Sequence, residues 1–296
     1  MPYKKCNLCA RGCSVNRENG ELGYCKMSSA PVVARAALHR WEEPIISGSA
    51  GSGTIFFSGC SLGCVFCQNA LISGGKSGIR VTDERISDMM LELQEKGAHN
   101  VNFVTPTHFI PSVRNAIIRA REKGLEIPIV YNTGSYDSVE ALEMLDGLVD
   151  VYLPDFKYYR GETAKEYSRA SDYPNIAKAA ISEMVRQRGM TVIEDGLIKS
   201  GVVVRVLLLP EHVAEAKLTV KYLYETYGDG IYVSLMSQYT PMPGQKPPLD
   251  RRVSHAEYDE LVEYALKKGV KNAFTQDFGC AEESFIPDFD NTGVLK

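Results

Sequence analysis

The 296-residue sequence lacks several features that would have decided its class early. No apolar run approaches the roughly 18 residues that a membrane span requires. The strongest stretch, residues 202–209, is broken by Arg205. Two lysines near the start have no apolar segment behind them, so a secretory signal is not expected. Tryptophan occurs once, and there is no internal repeat or low-complexity tract. Charge of one sign is not in excess: the net value of −4 gives no broad electrostatic reason to expect nucleic acid as a partner. Hydrophobic residues at 44% and charged residues at 24% are ordinary for a globular chain. These absences point to a cytoplasmic protein without a membrane partner, and the length suffices for a large core without disulfides.

Cysteine is what the sequence does have. Seven of its eight cysteines fall in two groups, Cys6, Cys9, Cys13 and Cys25, then Cys60, Cys64 and Cys67, with Cys280 far away. Clustered cysteines in a long chain without an export signal read as metal ligands in preference to disulfides.

From residue 54 onward, β-rich runs alternate with amphipathic stretches. The strand candidates are 54–58, 100–105, 127–132, 149–155, 202–209, 231–236 and 272–276. Between them lie helix candidates at 83–96, 110–123, 138–145, 173–187, 214–227 and 254–268. In the first of these Ile86, Met89, Met90 and Leu93 recur at three- and four-residue spacing, with Asp83 placed to cap its start and Gly97 to end it. Residues 189–201 read as a hairpin turning at Asp195-Gly196. Such alternation implies parallel strands with right-handed crossovers, hence an open doubly wound sheet or a full or partial β/α barrel. Either way the site lies at the C-terminal ends of the strands. Residues 1–50 lack the alternation and are expected to form a separate module and linker, leaving 51–296 as the main domain.

The second cysteine group reads Ser58-Gly-Cys60-Ser-Leu-Gly-Cys64-Val-Phe-Cys67-Gln-Asn69, directly after an apolar strand. Three thiolates in one loop can hold three corners of a cubane [4Fe–4S] cluster and leave one iron open to a ligand. Gly59 and Gly63 allow the loop to turn tightly, and Phe66 shields it. Zinc motifs more often come as paired C-x2-C units. The first group offers four thiolates, a set for zinc or for an ordinary iron–sulfur cluster. Residues 39–44, His-Arg-Trp-Glu-Glu-Pro, read as a solvated connector anchored by Trp41, with a lining role for His39, Glu42 and Glu43 as the alternative. Gly48–Gly53 precedes a strand instead of joining strand to helix, so it is a flexible lead-in and not a phosphate loop.

Cys60, Cys64 and Cys67, with an aromatic before the third, resemble the signature of the radical S-adenosylmethionine (radical SAM) superfamily. The following Gln68-Asn69 is similar to the activating enzymes of pyruvate formate-lyase and other glycyl radical enzymes, in a branch with an added N-terminal cysteine module. The resemblance covers about residues 54–280. It implies a partial (β/α)6 TIM-like barrel in which S-adenosylmethionine, bound at the open iron, is cleaved reductively to a 5′-deoxyadenosyl radical that abstracts hydrogen. It also implies a low-potential donor such as flavodoxin or ferredoxin, and a glycyl radical enzyme, another protein residue or a small molecule as target. A carrier or interaction protein without catalysis is the reading from another class.

Carried along the strand ends, the resemblance implies a cofactor site. In place of a Gly-Gly-Glu-Pro-like turn the second strand ends Thr105-Pro106-Thr107-His108, which lacks the acidic residue. Thr105 and Thr107 remain as acceptors for an ammonium, and His108 as a proton-transfer group. Asn132-Thr133-Gly134 resembles the activases' Thr-Asn-Gly stretch, and Asp155 and Lys157 match their Asp-x-Lys element. Arg205, mid-strand, is expected to pair with the cofactor carboxylate, since an unpaired buried charge is costly. Gln238 stands where activases commonly have histidine and is expected against ribose or adenine. Cys280 follows the last strand as a hydrogen-atom donor or ligand.

Overall fold

The computed structural model describes residues 2–276 and 286–295. Among these residues ten strands appear in chain order: β1 (Val32–His39), β2 (Ser52–Phe57), β3 (Ile79–Arg80), β4 (Val101–Val104), β5 (Ile129–Thr133), β6 (Val151–Pro154), β7 (Val192–Glu194), β8 (Leu197–Leu207), β9 (Tyr232–Met236) and β10 (Ala273–Phe274). In space they run β10-β9-β8-β6-β5-β4-β2-β1-β3, with β7 paired to β8. From β2 to β10 every neighbour along this path is parallel. Six full strands and the two-residue β10 therefore make the α/β frame, and among the described residues no pairing joins β10 back to β2. This is a partial barrel.

The helices fall where apolar periodicity places them. In Asp83–Glu95, Ile86, Met89, Met90 and Leu93 are all buried, each worth about 1.5–3 kcal/mol against exposure. The cap is one residue earlier than the sequence suggests: the Thr82 side chain accepts from the Arg85 N–H, and Asp83 opens the first turn. His255–Lys268 begins with a full capping box, Ser254 and Glu257 satisfying each other's backbone N–H. The hairpin at Asp195-Gly196 is present as β7 and β8, but its second arm runs on unbroken into the parallel sheet.

β1 is the element the sequence reading lacks. It pairs antiparallel with β2 from Val33 to His39, so these residues belong to the main sheet and are not a linker. β2 is buried along its whole length, and β1 supplies the hydrogen-bonding partner that its outer edge would otherwise lack. Three alanines in Val-Val-Ala-Arg-Ala-Ala-Leu-His dilute the β-branched signal that marks the other strands.

Among the described residues, no helix is long and apolar enough to cross a membrane.

Candidate active site at the strand ends

A cavity of about 240 Å³ opens at the C-terminal ends of the parallel strands. Cys60, Cys64 and Cys67 line it, as do Thr105, Thr107, Asn132, Asp155, Lys157, Arg205 and Gln238.

The cysteine loop is shaped by glycine and held from behind. Gly59 (φ +85°) and Gly63 (φ +62°) take left-handed backbone that side chains rarely adopt. A Cβ on Gly59 would stand 2.5 Å from Met27 Cγ and 2.8 Å from the Cys25 carbonyl oxygen. All three thiols are free. Cys60 Sγ accepts from the Leu62 N–H at 3.3 Å, and Cys64 Sγ accepts from the Ser168 hydroxyl at 3.0 Å. Phe66 is buried, edge-on to Tyr158, Tyr167 and Tyr239 at 6.0–6.3 Å, which makes the apolar wall beside the loop. Burial, with the neighbouring Cys64 and Cys67, pushes the Cys60 thiol up to about 12. Burial also raises Cys67, with Cys64 adding to it. Thiolates so placed are costly alone and are relieved by binding iron, so the donor set fits a cluster held by three cysteines. Among the described residues no three His, Cys, Asp or Glu side chains close around a single ion position. A cubane asks for a wider spacing, because each thiolate takes a different iron.

An ion network lines the same cavity. Asp155, the residue after β6, forms a parallel bridge with Arg205 of β8, which sets the two side chains in register. Arg205 Nε donates to Asp155 Oδ1 at 2.6 Å, and Lys157 Nζ donates to Asp155 Oδ2 at 2.6 Å. Arg205 Nη2 donates to Asn132 Oδ1 at 2.6 Å. Burial alone would raise the Asp155 carboxyl, but Arg205 and Lys157 beside it hold it below its usual range. Lys157 is raised in turn: burial works against its charge, and Asp155 and Cys64 together outweigh that.

The remaining partner of Arg205 is Glu42. Arg205 Nη1 donates to Glu42 Oε2 at 3.2 Å, while Asn102 and Asn132 donate to Glu42 Oε1 at 3.0 and 3.3 Å. Residues 39–44 are thus not a solvated connector. His39, Trp41 and Glu42 line the cavity, and Glu43 is buried beneath it. Burial raises both glutamates against the opposing pull of Arg205. A lone buried arginine in β8 requires counter-charge, and two acidic residues just before the first barrel strand were the available signal.

Thr105, directly after β4, has φ +57°, an uncommon conformation for a β-branched residue and a sign of local strain at the cavity. Thr107 and Thr133 share a hydrogen bond at 3.2 Å, and Thr133 donates to buried Asp137 at 2.6 Å. Tyr131 donates to the same carboxylate at 2.7 Å. Asp137, absent from the sequence reading, therefore fixes the Thr107–Thr133 edge. A Cβ on Gly134 would meet Leu62 at 2.8 Å, so the Asn132-Thr133-Gly134 turn packs on the cysteine loop. The Gln238 carbonyl accepts from Gln68 Nε2 at 3.2 Å, and its side-chain oxygen accepts from Gln276 at 3.1 Å.

His108 is not in the cavity. It is buried behind the cysteine loop, Nε2 at 2.7 Å from the Ser58 carbonyl oxygen and its ring centre 4.3 Å from that of Phe109. Burial lowers it to about 3, so it is a neutral structural donor and does not meet the expectation of a proton-transfer group. Cys280 lies outside the described residues.

The N-terminal cysteines are also free thiols, with Cys6 and Cys25 buried and Cys9 and Cys13 partly so. Burial pushes Cys9 up to about 12, with Cys25, Cys6 and Cys13 adding to the rise. Cys6 Sγ accepts from Arg17 at 3.6 Å and Cys13 Sγ from the Tyr24 N–H at 3.4 Å.

Comparison with known proteins agrees with this geometry. The family model for the radical SAM superfamily matches residues 54–223. An uncharacterized protein of Methanocaldococcus jannaschii, MJ0674, is 31% identical over 275 residues, covering 90% of this chain and 75% of that one. Among solved structures, SuiB of Streptococcus suis bound to S-adenosylmethionine is similar, with 13% identity and a TM-score of 0.52. The match covers 75% of this chain and 49% of SuiB, so the chain spans about half the length of that protein. SuiB bound to its precursor peptide SuiA gives a TM-score of 0.53 at the same identity, over 75% of this chain and 47% of that one. At 13% identity the likeness to SuiB is one of fold. The match over residues 54–223, the MJ0674 relative and the cysteine loop at the barrel mouth carry the assignment: this chain belongs to the radical SAM superfamily.

Proposed function

We propose that this chain is an enzyme that uses a [4Fe–4S] cluster at Cys60, Cys64 and Cys67, with S-adenosylmethionine at the open iron, to abstract a hydrogen atom from a glycine of a protein partner. The observation that carries the reading is one cavity lined both by three free thiols and by the network of Asp155, Lys157, Arg205, Asn132 and Glu42. A carrier has no use for such a network.

A cluster held by Cys60, Cys64 and Cys67 and reduced by an external donor would supply one electron to the sulfonium of S-adenosylmethionine, whose S–C5′ bond would break to release methionine and leave the 5′-deoxyadenosyl radical. The chain's own residues bind, orient and exclude water. Arg205 and Lys157 present positive charge to a carboxylate, and Asp155 and Glu42 keep both from being unpaired when the cavity is empty of ligand. The Thr107–Thr133 edge offers hydroxyl groups in place of the acidic residue absent from the β4 turn. Phe66 and Tyr239 form the dry side, which limits quenching by solvent. A protein glycine is favoured over a small molecule by the Gln68-Asn69 and Asp155-x-Lys157 likeness to glycyl radical activases. In this reading a flavodoxin or ferredoxin supplies the electron, and the N-terminal cysteines hold a second site, iron–sulfur in preference to zinc, since among the described residues no three of them close around a single ion position.

The test is an anaerobic incubation of reconstituted protein, S-adenosylmethionine and reductant with candidate glycyl radical enzymes. A glycyl doublet in the electron paramagnetic resonance (EPR) spectrum of the partner supports the reading. Radical chemistry on small molecules alone, with no partner signal, moves the assignment to a small-molecule enzyme.

A further inference from the structure

Arg11 lies between Cys9 and Cys13 and reaches out of the N-terminal module onto the cysteine loop of the barrel. Its Nε donates to the Ser61 carbonyl at 2.8 Å and its Nη2 to the Leu62 carbonyl at 3.2 Å. The same Nη2 donates to the Ser168 carbonyl at 2.8 Å, and Nη1 to the Arg169 carbonyl at 2.6 Å. Ser61 and Leu62 stand between Cys60 and Cys64, and Ser168 is the residue whose hydroxyl donates to Cys64 Sγ. One guanidinium thus ties together the cysteine loop and the donor that faces a cysteine sulfur.

Its own position is fixed from the N-terminal side. The guanidinium carbon is 3.8 Å from the Tyr24 ring centre and 5.2 Å from that of Tyr136. The Tyr24 hydroxyl adds a bond to the same Leu62 carbonyl at 3.2 Å, and the Tyr24 N–H donates to Cys13 Sγ. The backbone bridge between Cys9 and Asp137 anchors the loop that carries Arg11. Four peptide carbonyls converging on one cation is a demanding geometry, and only a planar fork of five donors meets it.

We propose that Arg11 is the positioning residue through which the N-terminal cysteine module fixes the cluster loop. It acts in two ways. The fork sets the Ser61 and Leu62 peptides, and hence the spacing of Cys60 and Cys64. Its charge, one peptide away from those cysteines, stabilises the more negative reduced cluster and raises its potential. The N-terminal cysteines hold both ends of the Arg11 loop, so disrupting them is transmitted to the barrel through this residue. The inference rests on the reading that Cys60, Cys64 and Cys67 carry the cluster.

The experiment is anaerobic reconstitution of the full chain as wild type, Arg11→Gln and Arg11→Lys, followed by EPR of the reduced protein with and without S-adenosylmethionine. Only a cluster with an open iron responds to that addition, which separates it from any second centre. Arg11→Gln is expected to alter the responsive signal and move its midpoint potential to more negative values, with at least a threefold smaller reduced fraction at a fixed donor potential. Arg11→Lys keeps the charge and loses the fork, so it should recover most of the potential while the signal shape stays altered. If Arg11→Gln does not fold, Arg11→Lys decides on signal shape alone. Wild-type shape in Arg11→Lys, or wild-type shape and potential in Arg11→Gln, overturns the role of Arg11. A wild type with no responsive signal overturns instead the cluster reading beneath it.

Discussion

Arg205 and Glu42 meet 3.2 Å apart in the cavity lining, one from near the C-terminal end of β8 and the other from the turn after β1. That contact makes a segment outside the parallel barrel part of its polar floor. It also balances a charge that the sheet alone would leave partly uncompensated, since Asp155 is shared with Lys157.

The network is asymmetric, and mutation should show it. Arg205→Met leaves Asp155, Glu42 and Glu43 facing one another with Lys157 alone to offset them, and should cost about 3–5 kcal/mol. Glu42→Gln leaves Arg205 still paired with Asp155 and should cost only about 1–2 kcal/mol. Urea denaturation of the two variants at neutral pH checks the order, and equal losses would contradict it.

Gly59 cannot be replaced without moving the N-terminal module. Gly59→Ala places a methyl group 2.5 Å from Met27 Cγ and 2.8 Å from the Cys25 carbonyl, on backbone at φ +85°. The expected loss is about 1–3 kcal/mol of stability together with lowered iron content after reconstitution. The control is Gly147→Ala, at φ +79° with open space around it, which carries the backbone strain without the clash. It should keep its iron.

The buried neutral His108 predicts an acid-sensitive term. Its folded value is lowered from 6.5 to about 3, so below 6.5 the unfolded chain binds a proton that the folded chain refuses. Stability from this group is therefore present above 6.5 and is lost as pH falls from 6.5 towards 3, with a slope of about 1.4 kcal/mol per pH unit. His108→Gln, which retains a donor for the Ser58 carbonyl, should lack that slope in denaturation measured between pH 6.5 and 4. An unchanged slope would contradict the assignment.

Much of this architecture was legible in the residues themselves. Each of the seven strand candidates from 54 to 276 became a parallel strand, because strands buried on both faces are mostly apolar and read as such in the sequence. The residues at their ends, Thr105, Asn132, Asp155, Lys157, Arg205 and Gln238, then met in one cavity by topology alone. What failed was local reading of residues whose roles come from tertiary contacts. Alanine-rich β1 carries no clear period, and its strand identity comes from pairing with β2. Glu42 looks like any charged residue in a connector until Arg205 supplies its partner. His108, in a strand-end turn, points behind the cysteine loop and not into the cavity. Asp137 and Arg11 show no motif, and only the folded chain brings them to Thr133 and to the Ser61–Leu62 peptides.

The central claim is that the three thiols at the barrel mouth support reductive cleavage of S-adenosylmethionine. The direct measurement is anaerobic reconstitution with iron and sulfide, addition of S-adenosylmethionine and dithionite, and quantitation of 5′-deoxyadenosine from wild type and Cys64→Ala. The account predicts 5′-deoxyadenosine from wild type and a loss of at least a hundredfold in the variant. A wild type that holds a reducible [4Fe–4S] cluster and yields no more 5′-deoxyadenosine than Cys64→Ala would contradict it.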